Sequence, residues 1–195
     1  MKIMKIAIFL IIMAIIINSV SAVKVEVVPS TKNIRPGQNF TVNISITPEK
    51  NDNIAGNYNV AGAQTNFLFN SKILNANNIK EGNLLKLSGG ATIFNAGIIN
   101  NTIGEISDIY GAIITPGKSV SKKGIFATIE MTANKEGISY LNLSNIIVGN
   151  SNGDSLNYRV INSSIKVMAK GNPRRGSGNY IYDTYKNIFN ILQGI

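Results

Sequence analysis

Residues 39–46 alternate strictly, with Phe40, Val42, Ile44 and Ile46 apolar and Asn39, Thr41, Asn43 and Ser45 polar. A period of two puts the two sets on opposite faces of an extended strand, so this stretch predicts a β-strand with one buried and one wet face. The pattern recurs. Val23, Val25 and Val27 alternate with Lys24 and Glu26, while Ala63, Thr65, Phe67 and Phe69 alternate with Gln64, Asn66 and Leu68. Further strand-like runs occupy residues 105–114, 124–133, 139–143, 146–148, 156–161 and 164–168, each bounded by Gly, Pro, Asn or Ser. Many short strands at this spacing predict an all-β sandwich or jelly roll.

What the chain lacks narrows its chemistry. Among its 195 residues there is no His and no Cys, which excludes a Ser-His-Asp triad, a cysteine nucleophile and a His/Cys zinc site. Paired carboxylates remain. Glu105 and Asp108 lie three apart, however, a separation that simple alternation places on opposite faces, and Glu130 reads as a surface position. No catalytic residue is therefore assigned, nor any metal or cofactor. The formal charge of +9 comes from dispersed lysines rather than a basic stripe, which gives no footprint for nucleic acid.

The N-terminus has the pattern of an export signal. Lys2 and Lys5 precede an unbroken run of twelve apolar residues, 6–17, and Asn18-Ser19-Val20-Ser21-Ala22 is a polar, small-residue exit. Twelve residues fall short of the roughly 20 that span a bilayer, so cleavage after Ala22 is expected, with a secreted or cell-surface product that is not an integral membrane protein. Losing Lys2 and Lys5 lowers the charge from +9 to +7. In an exported chain the Asn-x-Ser/Thr triplets at Asn39, Asn43, Asn100, Asn142 and Asn162 are candidate N-glycosylation sites. Without cysteine, such a chain must be held by core packing alone.

Asn152-Gly153, between residues 146–148 and 156–158, predicts a type I′ hairpin turn. Its surroundings, Asn150 to Asp154, resemble the start of a calcium loop, but the twelfth position, where a bidentate Glu is required, is Ile161. Residues 169–178 read as a flexible basic linker containing Arg174 and Arg175. In residues 179–195, Ile181, Tyr185, Ile188, Phe189 and Leu192 recur at helical spacing, predicting an amphipathic tail. That tail suits docking on its own sandwich, on a surface or on a partner.

From Val23 to Met168 the order of motifs resembles the cohesin domain family. The Pro36-Gly37 turn followed by Phe40-Thr41-Val42 is similar to the family's Pro-Gly-Asp and alternating strand, with Gln38 in place of the Asp. Phe67-Leu68-Phe69-Asn70-Ser71-Lys72-Ile73-Leu74 resembles a stretch ending in Tyr-Asp-Pro-Ser-x-Leu, with Phe69, Asn70 and Ser71 as departures. Glu81-Gly82-Asn83-Leu84-Leu85 resembles Gly-Asp-Leu-Leu, and Gly124-Ile125-Phe126-Ala127-Thr128-Ile129 resembles Gly-x-Phe/Leu-Ala-Thr-Ile. Leu143-Ser144-Asn145 and the Asn152-Gly153 turn complete the series.

The resemblance implies a nine-stranded jelly-roll β-sandwich over residues 23–168. It also implies a non-catalytic role: holding a dockerin module, itself folded around calcium and joined to polysaccharide-degrading enzymes, on the flat face of one sheet. Carried over, the partner-binding positions are Gly62, Gln64, Asn66 and Leu68, all expected to point outward, with Phe67 and Phe69 in the core. The family's Asn and Asp at the positions matching Gly62 and Gln64 are absent here. The same fold resemblance extends to carbohydrate-binding modules, and a structural cell-surface or adhesion module is a third reading. Sugar platforms favour exposed aromatic rings, and with no Trp the chain offers only tyrosines such as Tyr58, Tyr110, Tyr140 and Tyr158.

Overall fold

A computed structural model describes residues 22–48 and 58–169; the export segment, the linker and the helical tail expected from the sequence lie outside the described residues. Two β-sheets face each other. The five-stranded sheet runs β11-β1-β3-β9-β5, built from β11 (Tyr158–Ile161), β1 (Val23–Pro29), β3 (Asn39–Thr47), β9 (Gly124–Ala133) and β5 (Leu74–Glu81). The seven-stranded sheet runs β2-β12-β10-β4-β8-β6, from β2 (Asn33–Ile34), β12 (Ser163–Val167), β10 (Gly137–Gly149), β4 (Gly62–Leu68), β8 (Glu105–Ile113) and β6 (Thr92–Asn95). A further strand, β7 (Ile98–Asn100), also pairs with β8. The sandwich read from the alternation is present, and short edge segments carry the described strands beyond nine.

Alternation decides what is buried. Phe40, Val42, Ile44 and Ile46 of β3 meet Phe67, Ile106, Ile109 and Leu141 of the other sheet in one core, all nearly or wholly inaccessible. Such burial is the dominant favourable term for a chain without disulfides. Two aromatic contacts order the interior. Phe94 of β6 and Phe126 of β9 meet edge to face across the layers, ring centroids 5.9 Å apart, and Phe67 and Phe69 lie 6.2 Å apart, tilted. The inward facing expected for Phe67, Phe69, Phe126 and Ile129 is correct.

The turn before β3 shows one departure from the family pattern absorbed locally. Gly37 has φ 84°, the conformation that a Pro-Gly type II turn needs, and the Gln38 N–H donates to Arg35 O at 3.2 Å. Gln38 Oε1 accepts the Arg35 N–H at 2.9 Å, so Gln38 still supplies a side-chain acceptor to the turn.

Three expectations need correction. The runs at 139–143 and 146–148 form one strand, β10, with a register irregularity between Ser144 and Ile147. The Asn152-Gly153 turn is not type I′: Gly153 is left-handed at φ 87° but Asn152 is not, whereas type I′ needs both. The turn closes by Gly153 N–H to Asn150 O at 3.2 Å, and Asn150 Oδ1 accepts from the Asn152 and Asp154 N–H groups, each at 2.9 Å. It then leads into the other sheet, where β11 pairs in parallel with β1. Finally, β5 forms where the sequence carries no strand signal, because Asn75, Asn77 and Asn78 disfavour a strand by composition.

Candidate functional site

The outer face of the seven-stranded sheet is where the carried-over positions lie. Register across β10, β4, β8 and β6 sets two adjacent rows, Ile147–Gln64–Tyr110–Asn95 and Gly149–Gly62–Ala112–Ile93. Ile147 is 52% exposed, Ile93 47% and Tyr110 43%, an apolar group at a surface where a lone exposed residue would need no comment. Between them lies a shallow depression of about 280 Å³ floored by Gly62, Gly111, Ala112 and Gly149. A Cβ at Gly62 would stand 3.2 Å from Gly111 O and 3.3 Å from the Ala112 Cβ, so the depression is one that a larger residue at 62 would fill. Gln64, half-buried beside Tyr110, brings an amide that both donates and accepts.

Asn66 is not available in the way the sequence suggested. It is 7% exposed, its Nδ2 donates to Glu105 Oε1 at 2.9 Å and its Oδ1 accepts the Asp108 N–H at 3.1 Å. The cause is a bulge: the β4–β8 register slips between Thr65 and Phe67, leaving Asn66 to satisfy the looped-out backbone of Asp108. Leu68 is half-buried, at the far end of the strand between Asn142 and Glu105. Of the four carried-over positions, then, Gly62 and Gln64 share one surface, Leu68 lies apart and Asn66 is internally bonded.

Two contributors are misfaced by alternation alone. Counting by twos from buried Ile106 turns residue 110 inward, and counting from buried Leu143 turns residue 147 inward; a bulge in each strand reverses both. The same β8 bulge leaves Asp108 exposed, so the opposite-face relation to Glu105 expected from spacing does not apply. Tyr110 and Tyr140, the latter 68% exposed, belong to this sheet; Tyr158 is on the edge of the other, and Tyr58 packs against the core.

Elsewhere Glu26, Glu81 and Glu130 are paired with lysines. Glu130 on β9 is held below its ordinary value by hydrogen bonds from Lys80 and then Asn78. Glu26 is lowered chiefly by Lys24, 3.0 Å away, with Lys123 at 3.5 Å adding to it. Among the described residues there is no group of three or more acidic side chains placed to hold a metal ion, and no helix long and apolar enough to cross a membrane.

A two-layer jelly roll with an apolar, amide-bearing patch on one flat outer face has the build of a binding module. Residues 23–167 match the family model for the cohesin domain, and the chain belongs to that family. No curated protein matches it. Among solved structures, it is similar to a non-cellulosomal cohesin from the hyperthermophilic archaeon Archaeoglobus fulgidus, with 12% identity, a TM-score of 0.54, and coverage of 77% of this chain and 94% of that one. A type I cohesin–dockerin complex from Clostridium thermocellum matches with 16% identity, TM-score 0.56, and coverage of 74% and 99%. A type II cohesin domain from the cellulosome of Acetivibrio cellulolyticus matches with 16% identity, TM-score 0.55, and coverage of 74% and 95%. At these identities the likeness is one of fold.

Proposed function

We propose that this chain is an exported cohesin module that binds a dockerin-type protein on the outer face of β10-β4-β8-β6, and so helps organise extracellular polysaccharide degradation. The observation that carries the reading is the grouping of exposed Ile147, Tyr110 and Ile93 around Gln64 and the glycine-floored depression. An apolar centre with a few hydrogen-bonding groups is what a protein interface uses for affinity and register. Gly62 and Gln64 are the centre, Leu68 is peripheral, and Asn66 acts from below by holding Asp108. Calcium, on this reading, belongs to the dockerin. The test is capture of calcium-loaded dockerin modules from the same source by the mature chain, with and without chelator. Chelator-sensitive binding supports the reading, and no binding by any such module overturns it.

Direct carbohydrate binding is the second reading, favoured by the exposure of both Tyr110 and Tyr140 on one sheet. Titration calorimetry with oligosaccharides separates it from the first.

A further inference from the structure

Three of the five Asn-x-Ser/Thr sites fall at one end of the proposed docking face. Register places Asn142, Leu68, Glu105 and Asn100 in a single cross-strand row. Asn162 adjoins that row, one residue before the Ser163–Leu141 pair, with its Oδ1 accepting the Leu143 N–H at 3.1 Å. The other two, Asn39 and Asn43, lie on β3 of the opposite sheet, where their Oδ1 atoms accept the Thr132 and Thr128 hydroxyls at 2.7 and 2.9 Å. None of the sites lies in the Ile147–Gln64–Tyr110 or Gly149–Gly62–Ala112–Ile93 rows.

Six asparagines among the described residues commit their amide nitrogen to the fold. Asn66, Asn77, Asn78, Asn95, Asn101 and Asn150, none of them the acceptor asparagine of a triplet, donate from Nδ2 to protein acceptors. Among the described residues, Asn39, Asn43, Asn100, Asn142 and Asn162 make no such donation, and Asn142 makes no side-chain hydrogen bond at all. The nitrogen that a glycan would take is thus unused at every site.

We infer that Asn142, flanked by Asn100 and Asn162, is an N-glycan attachment site, and that the sugar closes the Leu68 end of the face while leaving the Gln64 end open. The inference rests on the export reading, because the donor is a lipid-phosphate-linked glycan outside the cytoplasm. In the transfer, Nδ2 attacks the anomeric carbon, the bond from that carbon to the phosphate oxygen breaks, Nδ2 loses one proton, and the lipid phosphate leaves; no electrons are exchanged with an outside agent. Two tyrosines report the partition. Tyr140 is two residues from Asn142 on the same strand, whereas Tyr110 stands in the open row.

The test is peptide mass mapping of the full chain from its own source, followed by tetranitromethane nitration of that chain beside one carrying Asn100→Gln, Asn142→Gln and Asn162→Gln. The expected result is glycan mass on the Asn142 peptide, Tyr140 nitrated several-fold more slowly in the native chain, and Tyr110 nitrated equally in both. Unmodified Asn142 in protein recovered outside the cell overturns the inference. So does equal protection of Tyr110. Unmodified protein found only inside the cell overturns the export reading on which it stands.

Discussion

Asp108 stands in left-handed backbone at φ 58° with its N–H donated to Asn66 Oδ1 at 3.1 Å. The neighbour on the other side of β4 is arranged alike: Asn145 of β10 has φ 50°, and Thr65 Oγ1 donates to the adjacent Ser144 O at 3.1 Å. Among the described residues these are the two non-glycine positions with positive φ. Consecutive polar residues of β4 therefore hold a bulge in each flanking strand, and the bulges turn Tyr110 and Ile147 outward. Asn66→Ala removes the acceptor for a part-buried N–H and the donor to Glu105. It is expected to lower unfolding free energy by about 1–3 kcal/mol in denaturant titration. Unchanged stability would show that the bulge holds itself.

At Asn145 the backbone, rather than a side-chain bond, is the constraint. A left-handed residue with a Cβ costs about 1–2 kcal/mol unless it is Gly, Asn or Asp. Asn145→Gly is expected to be tolerated and Asn145→Val to lose about that amount, read from paired thermal melts. Equal melting temperatures for the two variants would exclude φ as the cause.

Phe126 is 1% exposed and meets Phe94 edge to face across the layers. Phe126→Ala leaves a cavity between two sheets that cannot close without moving a strand, so a loss of about 3–5 kcal/mol is expected. Phe126→Leu should recover much of it. A melting temperature unmoved by the alanine change would contradict this packing.

The sandwich was legible because alternation fixes facing wherever a strand is regular: β1 and the first half of β3 follow their apolar periods closely, whereas Ser45, at the β3–β9 register shift, is buried although its polar period predicts a wet face. It failed where one extra residue enters a strand. Asp108 and Asn145 read as ordinary strand or loop residues, and nothing in their one-letter neighbourhood announces a phase reversal. Alternation alone turns Tyr110 and Ile147 inward, so their grouping on one face is not legible, and Asn66 looks free although it serves a neighbour's backbone. β5 was hidden for another reason: its Asn75, Asn77 and Asn78 are tolerated on an edge strand, where Asn77 Nδ2 donates to Thr132 Oγ1 at 2.8 Å and Asn78 Nδ2 reaches Glu130. Gly62 and Gln64, on the regular half of β4, face outward as the alternation predicts.

Acid should weaken the fold partly through Glu26. Its carboxylate is lowered from an ordinary value of 4.5 by the hydrogen bond from Lys24 and by the charges of Lys24 and Lys123, against the opposing effect of burial. A carboxylate depressed on folding binds fewer protons in the folded state, so its stabilising effect is present above the ordinary value and is lost as pH falls through the lower folded value. Glu26→Gln should therefore flatten the acid limb of a melting-temperature profile below about pH 4.5, relative to the unaltered chain. An acid limb of unchanged steepness would assign the loss to other groups.

The docking proposal makes a sharper demand on two residues. Tyr110→Asp and Ile147→Asp each put a charge at the centre of the apolar rows without entering the core, since both side chains are about half exposed. If dockerin-type modules seat there, burying the new carboxylate costs binding energy, and each change should weaken capture at least about tenfold while leaving the melting temperature nearly unchanged. Tyr140→Asp is the control. It lies on the same sheet and is more exposed, yet it pairs with Ser164 of β12 rather than with β4, and its effect on capture should be small. Surface plasmon resonance with an immobilised calcium-loaded dockerin module measures all three. Loss at Tyr140 with full binding by the Tyr110 and Ile147 variants would move the site toward the β12 edge and away from Gln64.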